Sequence, residues 1–347
     1  MPPRWKQRPD GSTWGDFGAD DRLGRLNLIG PEKVRQGIAE VREGRSFCLS
    51  LPLDYPGGNL LNPRRYPPKL YGVVREGRAN MPFRLSVYDV RHNDVMCDDA
   101  ALIYLQYSTQ WDSFAHAGQM FDADGDGVPE PVFYNGWRGG EHVPEALEMG
   151  GEPRLERFPS PGSEVLGIHN FARHGLQGRG VLVNLFDDIG RQRSWVGYDA
   201  LMRAMQAQKV EVEPGDMLCF YTGFADLLLE MERKPDPHRL ENSCAVLDGR
   251  DKRLLNWITD SGAAALIADN YAVEGLPAKD GGSEGHAALP LHEHCLFKLG
   301  VPLGEIWYLA ELAAFLKREG RNRFLLTAPP LRLPGAVGSP VSPIATV

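Results

Sequence analysis

A mixed α/β fold in one domain is what the sequence predicts, and three observations lead there. Glycine and proline are abundant (39 and 27 of 347 residues) and spread along the whole chain, which suits many short strands and helices joined by tight loops. Apolar runs of strand length and helical spacings are interspersed without strict strand–helix–strand alternation, which argues against a plain doubly wound sheet. No stretch has linker composition and no segment repeats, so residues 1–347 read as a single domain.

The elements follow in order. Pro31 to Arg42 opens on proline and spaces Val34, Ile38 and Val41 along one helical face. Ser46 to Leu53 alternates like a strand. Ala100 to Tyr107 is an apolar run that reads as a buried strand delivering polar residues at its end. Gly180 to Leu185 and Met217 to Thr222 follow turn residues and read as core strands, the second entered through Glu213-Pro214-Gly215-Asp216. Lys252 to Ser261 predicts a helix, Ala264 to Ala268 a strand, Leu309 to Arg318 a helix and Arg323 to Thr327 a late strand. Pro329 to Val347 is proline-rich and reads as irregular.

Composition narrows the function. A net charge of -8 opposes nucleic acid as a partner, because phosphate binding needs a basic surface. No apolar run approaches the roughly 20 residues that span a bilayer, and no membrane partner is expected. The first residues, MPPRWKQRPDGSTWG, lack the apolar region of a secretory signal, so the cytoplasm is the expected location. The five cysteines at 48, 97, 219, 244 and 295 form no CxxC pair, and separate buried thiols are expected rather than a disulfide framework or a cysteine zinc site.

The chemistry concentrates in Gln106-Tyr-Ser108-Thr109-Gln110-Trp111-Asp112-Ser-Phe-Ala-His116. In an extended strand residues 106, 108, 110 and 112 point to one side. Two amides, a hydroxyl and a carboxylate on one face are costly beside an apolar strand unless they bind something. A helical turn after Asp112 would bring the His116 imidazole back toward the carboxylate. The plain alternative is a solvent-facing strand edge with a capping aspartate.

This segment resembles the signature HxGTHxDxxxH of the cyclase family that includes bacterial kynurenine formamidase and isatin hydrolase. Thr109, Asp112 and His116 match it; Gln106 and Gln110 stand at the two early histidines and Ser108 at the glycine. Further stretches are similar in the same order. They are Gly24-Arg25-Leu26-Asn27-Leu28, Gly178-Arg179-Gly180-Val181-Leu182-Val183, Pro214-Gly215-Asp216 with Thr222-Gly223, Ala268-Asp269-Asn270 through Val273-Glu274, and Leu291-His292 with Gly300-Val301-Pro302-Leu303-Gly304-Glu305. The likeness covers roughly residues 14 to 340, and Tyr134-Asn135-Gly136 resembles a longer-chain branch of the family.

The resemblance implies a swivelling β/β/α arrangement around a mixed sheet, a homodimer or homotetramer with sites near a subunit interface, and hydrolysis of a C–N or C–O bond in a cyclic or aryl-linked amide, lactam or lactone. N-formylkynurenine is the family's best-known substrate. It implies one or two divalent cations, commonly zinc or manganese, with Asp112 and Glu305 as carboxylate ligands, Gln106 and Gln110 at the histidine-ligand positions, and His116 as acid and base. His292 fits the late histidine, with Glu293 or His294 as alternatives. An amide oxygen is a harder, weaker ligand than imidazole. Three outcomes therefore stay open: a hard ion such as manganese, magnesium or calcium on Gln110, Asp112, Glu305 and His292; one ion at the second position; or a metal-free Asp112–His116 pair. Two other functions remain: a metal-poor lyase, dehydratase or cyclase using His116 and Asp112, and a binding protein that kept the fold.

Other signals are weaker. Asp122, Asp124 and Asp126 resemble half of an EF-hand loop, but Phe133 stands where the bidentate glutamate belongs; an Asx-rich turn and a calcium loop are both open. Trp14, Phe17 and Trp111 are candidates to line an aromatic-substrate pocket, against core packing. His169 and His174 in the helix-like stretch Val165 to Leu176 suit surface or capping roles. Residues 281–286 (GGSEGH) read as a flexible loop able to act as a lid. No GxSxG elbow marks a serine nucleophile.

Overall fold

A computed structural model of the chain describes residues 4–144, 162–283 and 285–347. Its centre is a nine-stranded mixed sheet. In chain order the strands are β1 (Ser46–Cys48), β2 (Gln110–Asp112), β3 (Gln177–Asn184), β4 (Met217–Tyr221), β5 (Ala265–Ala268), β6 (Leu303–Glu305), β7 (Arg323–Thr327), β8 (Gly338–Pro340) and β9 (Ile344–Thr346). In space they run β1-β9-β7-β3-β4-β5-β6-β2-β8. The middle four, β3 to β6, are parallel. Antiparallel strands flank them on both sides. β4 and β5 are buried along their whole length, as their unbroken apolar sequences require of central parallel strands.

Helices Pro31–Ala39, Tyr198–Gln208, Lys252–Ser261 and Ala310–Arg318 join this sheet in the main apolar cluster, with Leu201, Leu254, Ile258 and Leu312 on their buried faces. A buried ion cluster ties the first helix to the sheet. Asp216, fully buried, accepts from Arg179 through two bonds of 2.8 Å and from Lys33 at 3.0 Å. Charge removed from water in this way is tolerable only when each carboxylate oxygen is bonded. The GRLN and GVPLGE stretches meet directly. Gly24 (φ +53°) stands against the Gly300 backbone, where a Cβ would overlap the carbonyl, and Arg25 N–H donates to Gly300 O at 2.8 Å.

The structure corrects three expectations. Residues 100–107 are not a buried strand. Asp99–Leu102 pairs with Lys69–Gly72 in an exposed two-stranded ribbon, and the chain then turns before β2 begins at Gln110. The turn removes the alternation that would have put Gln106 and Gln110 on one face. The proline-rich tail is not irregular throughout: β8 and β9 both join the main sheet, β8 beside β2, where Pro340 sits on an edge strand. All five thiols are free, but Cys48 and Cys97 are exposed rather than buried. No helix among the described residues is long and apolar enough to cross a membrane.

Candidate metal centre and acid–base site

Register builds the site. β2 lies between β6 and β8, with Gln110 opposite Glu305 and Asp112 opposite Leu303. Side chains two apart share a face, so Gln110, Asp112 and Glu305 project together while Trp111 points the other way. The third contributor, His292, comes from the helical segment Pro290–Leu299. One ligating atom from each of Asp112, His292 and Glu305 lies within 4.8 Å of the others, and all three residues are buried.

Hydrogen bonds fix most of these groups and leave others open. The Glu274 carboxylate accepts from the Leu291 and His292 backbone N–H groups and from His292 Nδ1 at 2.8 Å. That turns His292 Nε2 toward Glu305 Oε1, 3.3 Å away. Gln110 Nε2 donates to Glu305 Oε2 at 2.9 Å. Both carboxylate oxygens of Asp112 and the amide oxygen of Gln110 are buried without a hydrogen-bond partner. Three orphaned oxygen acceptors beside a histidine nitrogen and a second carboxylate are the donor set a divalent cation takes, so the residues fit such an ion.

Burial and mutual charge displace the Asp112, Glu305, His292 and His116 side chains from their ordinary titration. Burial, then Glu305 beside it, raises the Asp112 carboxyl well above the usual range. Burial would raise Glu305 too, but the bond from His292 outweighs it and holds that carboxyl low. For His292 burial opposes the charge, yet Glu274 and Glu305 together lift it to about 10. His116 is pushed the other way, to about 4, by burial and then by His292. It is a neutral imidazole beside the cluster.

His116 stands at the rim. Its Nε2 is 3.9 Å from Asp112 Oδ1, and its Nδ1 is 3.2 Å from Gln106 Nε2. Arg65 in turn donates to the Gln106 carbonyl at 2.6 Å. Gln106 therefore contacts the imidazole rather than the ligating groups, a consequence of the turn between residues 102 and 110. Of the three late candidates, His292 reaches the cluster. His294 instead bonds Thr259 Oγ1 at 3.0 Å, and Glu293 pairs with Lys298 at 3.5 Å.

Two of the aromatic candidates are core residues. Trp14 and Trp111 are fully buried; their indole N–H groups donate to Phe297 O and Ala328 O, and Trp111 packs on Trp307. Phe17 is half-buried in the turn after Trp14. Asp122 closes an Asx turn, accepting from Gly125, Asp126 and Gly127 N–H. His169 accepts from Gly335 N–H, and His174 ends the helix His169–His174. The loop 281–286 is preceded and followed by carbonyls bound to Arg250; Glu284 lies outside the described residues.

Sequence reasoning gave Glu274 and Arg65 no role. A signal for Glu274 existed in the Val273-Glu274 stretch, and its reason is visible in the backbone. Ala272 and Val273 hold φ of +74° and +60°, and Ile306, next to Glu305, holds +56°. Positive φ at β-branched residues is costly, and here it sits beside both carboxylates that face His292.

The comparisons bear on this geometry. Residues 81–275 match the family described as "Putative cyclase". The crystal structure of a novel cyclase is 30% identical, with 97% of each chain covered and a TM-score of 0.72. This chain belongs to the cyclase family. Isatin hydrolase A from Labrenzia aggregata, bound to benzyl benzoate, shares the fold at 12% identity and a TM-score of 0.53, covering 90% of this chain and 98% of that one. An isatin hydrolase bound to the product analogue thioisatinate does so at 11% identity and 0.53, covering 92% and 99%. No curated protein matches the chain. The mixed sheet and its helices are thus the cyclase-like fold, shared with the isatin hydrolases.

Proposed function

We propose that this protein is a metal-dependent hydrolase that opens a C–N or C–O bond in a cyclic or aryl-linked amide, lactam or lactone. The observation that supports it most is the buried triplet Asp112, His292 and Glu305, in which both Asp112 oxygens lack a hydrogen-bond partner, as does the Gln110 oxygen on the same strand face. Manganese or zinc would be held by those residues, magnesium and calcium being the harder alternatives that suit the Gln110 oxygen. Such an ion supplies Lewis acidity, polarising a carbonyl and lowering the pKa of water.

The chain's own residues do the rest. Glu274 holds the His292 ring with Nε2 forward, so that this nitrogen and Glu305 keep one geometry. His116 is neutral and partly exposed at the rim, placed to take a proton from water and return it to the departing nitrogen or oxygen. Gln106 is suited to both steps. Its N–H meets a bare Nδ1 and leaves the ring proton on Nε2; with the amide turned over, its oxygen accepts from Nδ1–H and frees the Nε2 lone pair as a base.

Elemental analysis of purified protein, paired with turnover on lactams, lactones and anilides, tests this reading. Stoichiometric metal lost in Asp112→Ala, with turnover lost in His116→Ala, supports it. Activity through His116 in metal-free protein would assign the lyase reading, and neither metal nor turnover would leave a binding protein.

A further inference from the structure

A half-open cavity of about 190 Å³ lies behind Tyr271, apart from the candidate metal centre. Leu61, Phe224, Leu240, Val246 and Leu276 form the apolar part of its wall. Arg193, Asn270, Tyr271 and Glu241 interrupt them with polar groups. Arg193, half-buried, forms no ion pair among the described residues, and its guanidinium lies 5.6 Å from the Trp195 ring. Asn270, 2% exposed, donates through Nδ2 to Ala245 O at 3.0 Å and Val273 O at 3.4 Å. That anchors the amide and leaves Oδ1 buried with no partner.

Each feature limits the occupant. A partly desolvated guanidinium without a counter-ion is unfavourable, and a planar carboxylate is its best match. The exposed carboxylate of Glu241 also lines the cavity and disfavours a second negative charge. In size the space slightly exceeds the ~150 Å³ that accepts one benzene ring.

We propose that this cavity binds a small apolar monocarboxylate, about one ring with a short acid arm, its carboxylate on Arg193. Tyr271 and Leu61 also border the small space that reaches Gln106 and Arg65, so the cavity shares a wall with the candidate catalytic site. Binding is read without turnover, so the inference stands or falls separately from the hydrolase reading.

Calorimetry with the full-length protein tests it, using phenylacetate, 4-hydroxyphenylacetate and the neutral control phenylacetamide at one ionic strength. The expected result is that both acids bind at least about tenfold more tightly than the amide, a difference of about 1.4 kcal/mol. Arg193→Gln is expected to reduce the acids to the affinity of the amide, and Leu240→Trp, which fills the cavity, to abolish binding of all three. Equal binding of acid and amide, unchanged acid binding in Arg193→Gln, or no saturable binding at millimolar ligand would overturn the proposal. The wild-type acid–amide comparison decides even if a variant fails to fold.

Discussion

Asp112→Asn separates the demands of folding from those of function. The carboxyl is fully buried, neither oxygen has a hydrogen-bond partner, and Glu305 lies beside it. A buried polar group left unmet costs about 1–3 kcal/mol. Asparagine keeps the shape and removes the like charge. In chelator the variant is therefore expected to be more stable than the wild type, by about 1–2 kcal/mol. A cation at a hundred times its dissociation constant adds about 2.7 kcal/mol to the protein that binds it. With manganese or zinc the order should thus reverse, since the variant has lost a charged ligand. Denaturant midpoints with and without chelator, at matched slope, measure both differences. A variant less stable than wild type in chelator, or a wild type indifferent to manganese, zinc, magnesium and calcium, would refute the idea that these oxygens await an ion.

Other outcomes follow from neighbouring geometry. Gln110→His, at the position that already bonds Glu305, is expected to raise zinc affinity by at least about tenfold; an unchanged affinity would remove Gln110 from the ligand set. Asp269 accepts from Thr222 N–H and Oγ1–H, Gly223 N–H and Phe224 N–H, so Asp269→Asn, which turns an N–H toward those donors, should cost about 1–3 kcal/mol near pH 5. Burial lifts the Asp269 carboxyl to about 7 against those four donors. A folded pKa raised above its unfolded value means the stability this group contributes is present at low pH and lost as pH rises through about 7. The gap between wild type and variant should therefore narrow by ~2–3 kcal/mol from pH 5 to pH 8, and a gap that stays constant would show the carboxylate ionised throughout. Gly24→Ala, which puts a methyl into the Gly300 carbonyl at positive φ, is expected to cost about 3 kcal/mol or more in thermal or denaturant melts. Residues 69–102 expose ten large apolar side chains, Val74 by 75% and Val90 by 90% among them. They also balance five basic against five acidic residues, so self-association through this arm meets no net repulsion. Light scattering is expected to give a multiple of 38.5 kDa, reduced to the single mass by Val74→Asp with Val90→Asp.

What could be read from the sequence divides by distance along the chain. Helix Lys252–Ser261 and strand Arg323–Thr327 have the bounds their local patterns predict, because a capping Asp251 and a run of strand-forming residues act within a few positions. The short strand Gly338–Pro340 was invisible for the opposite reason. Nothing in a Gly-Ser-Pro sequence favours extension, and it is a strand because the edge of β2 lies open beside it. The site shows the same division. Gln110 and Asp112 sit two apart on one strand, so their shared face could be read locally. Gln106, four residues earlier, was assigned by the same alternation and fails it, since the turn between 102 and 110 carries its amide to His116 instead. The pairing of Asp112 with Glu305 and His292 depends on β6 lying beside β2 across nearly two hundred residues, a register no local pattern encodes. Family likeness supplied it, and it could not supply Glu274. That carboxylate aims His292 from outside the ligand set, through backbone held at positive φ. The residues that orient a ligand are thus the last to be legible, because their role exists only once the ligand's position does.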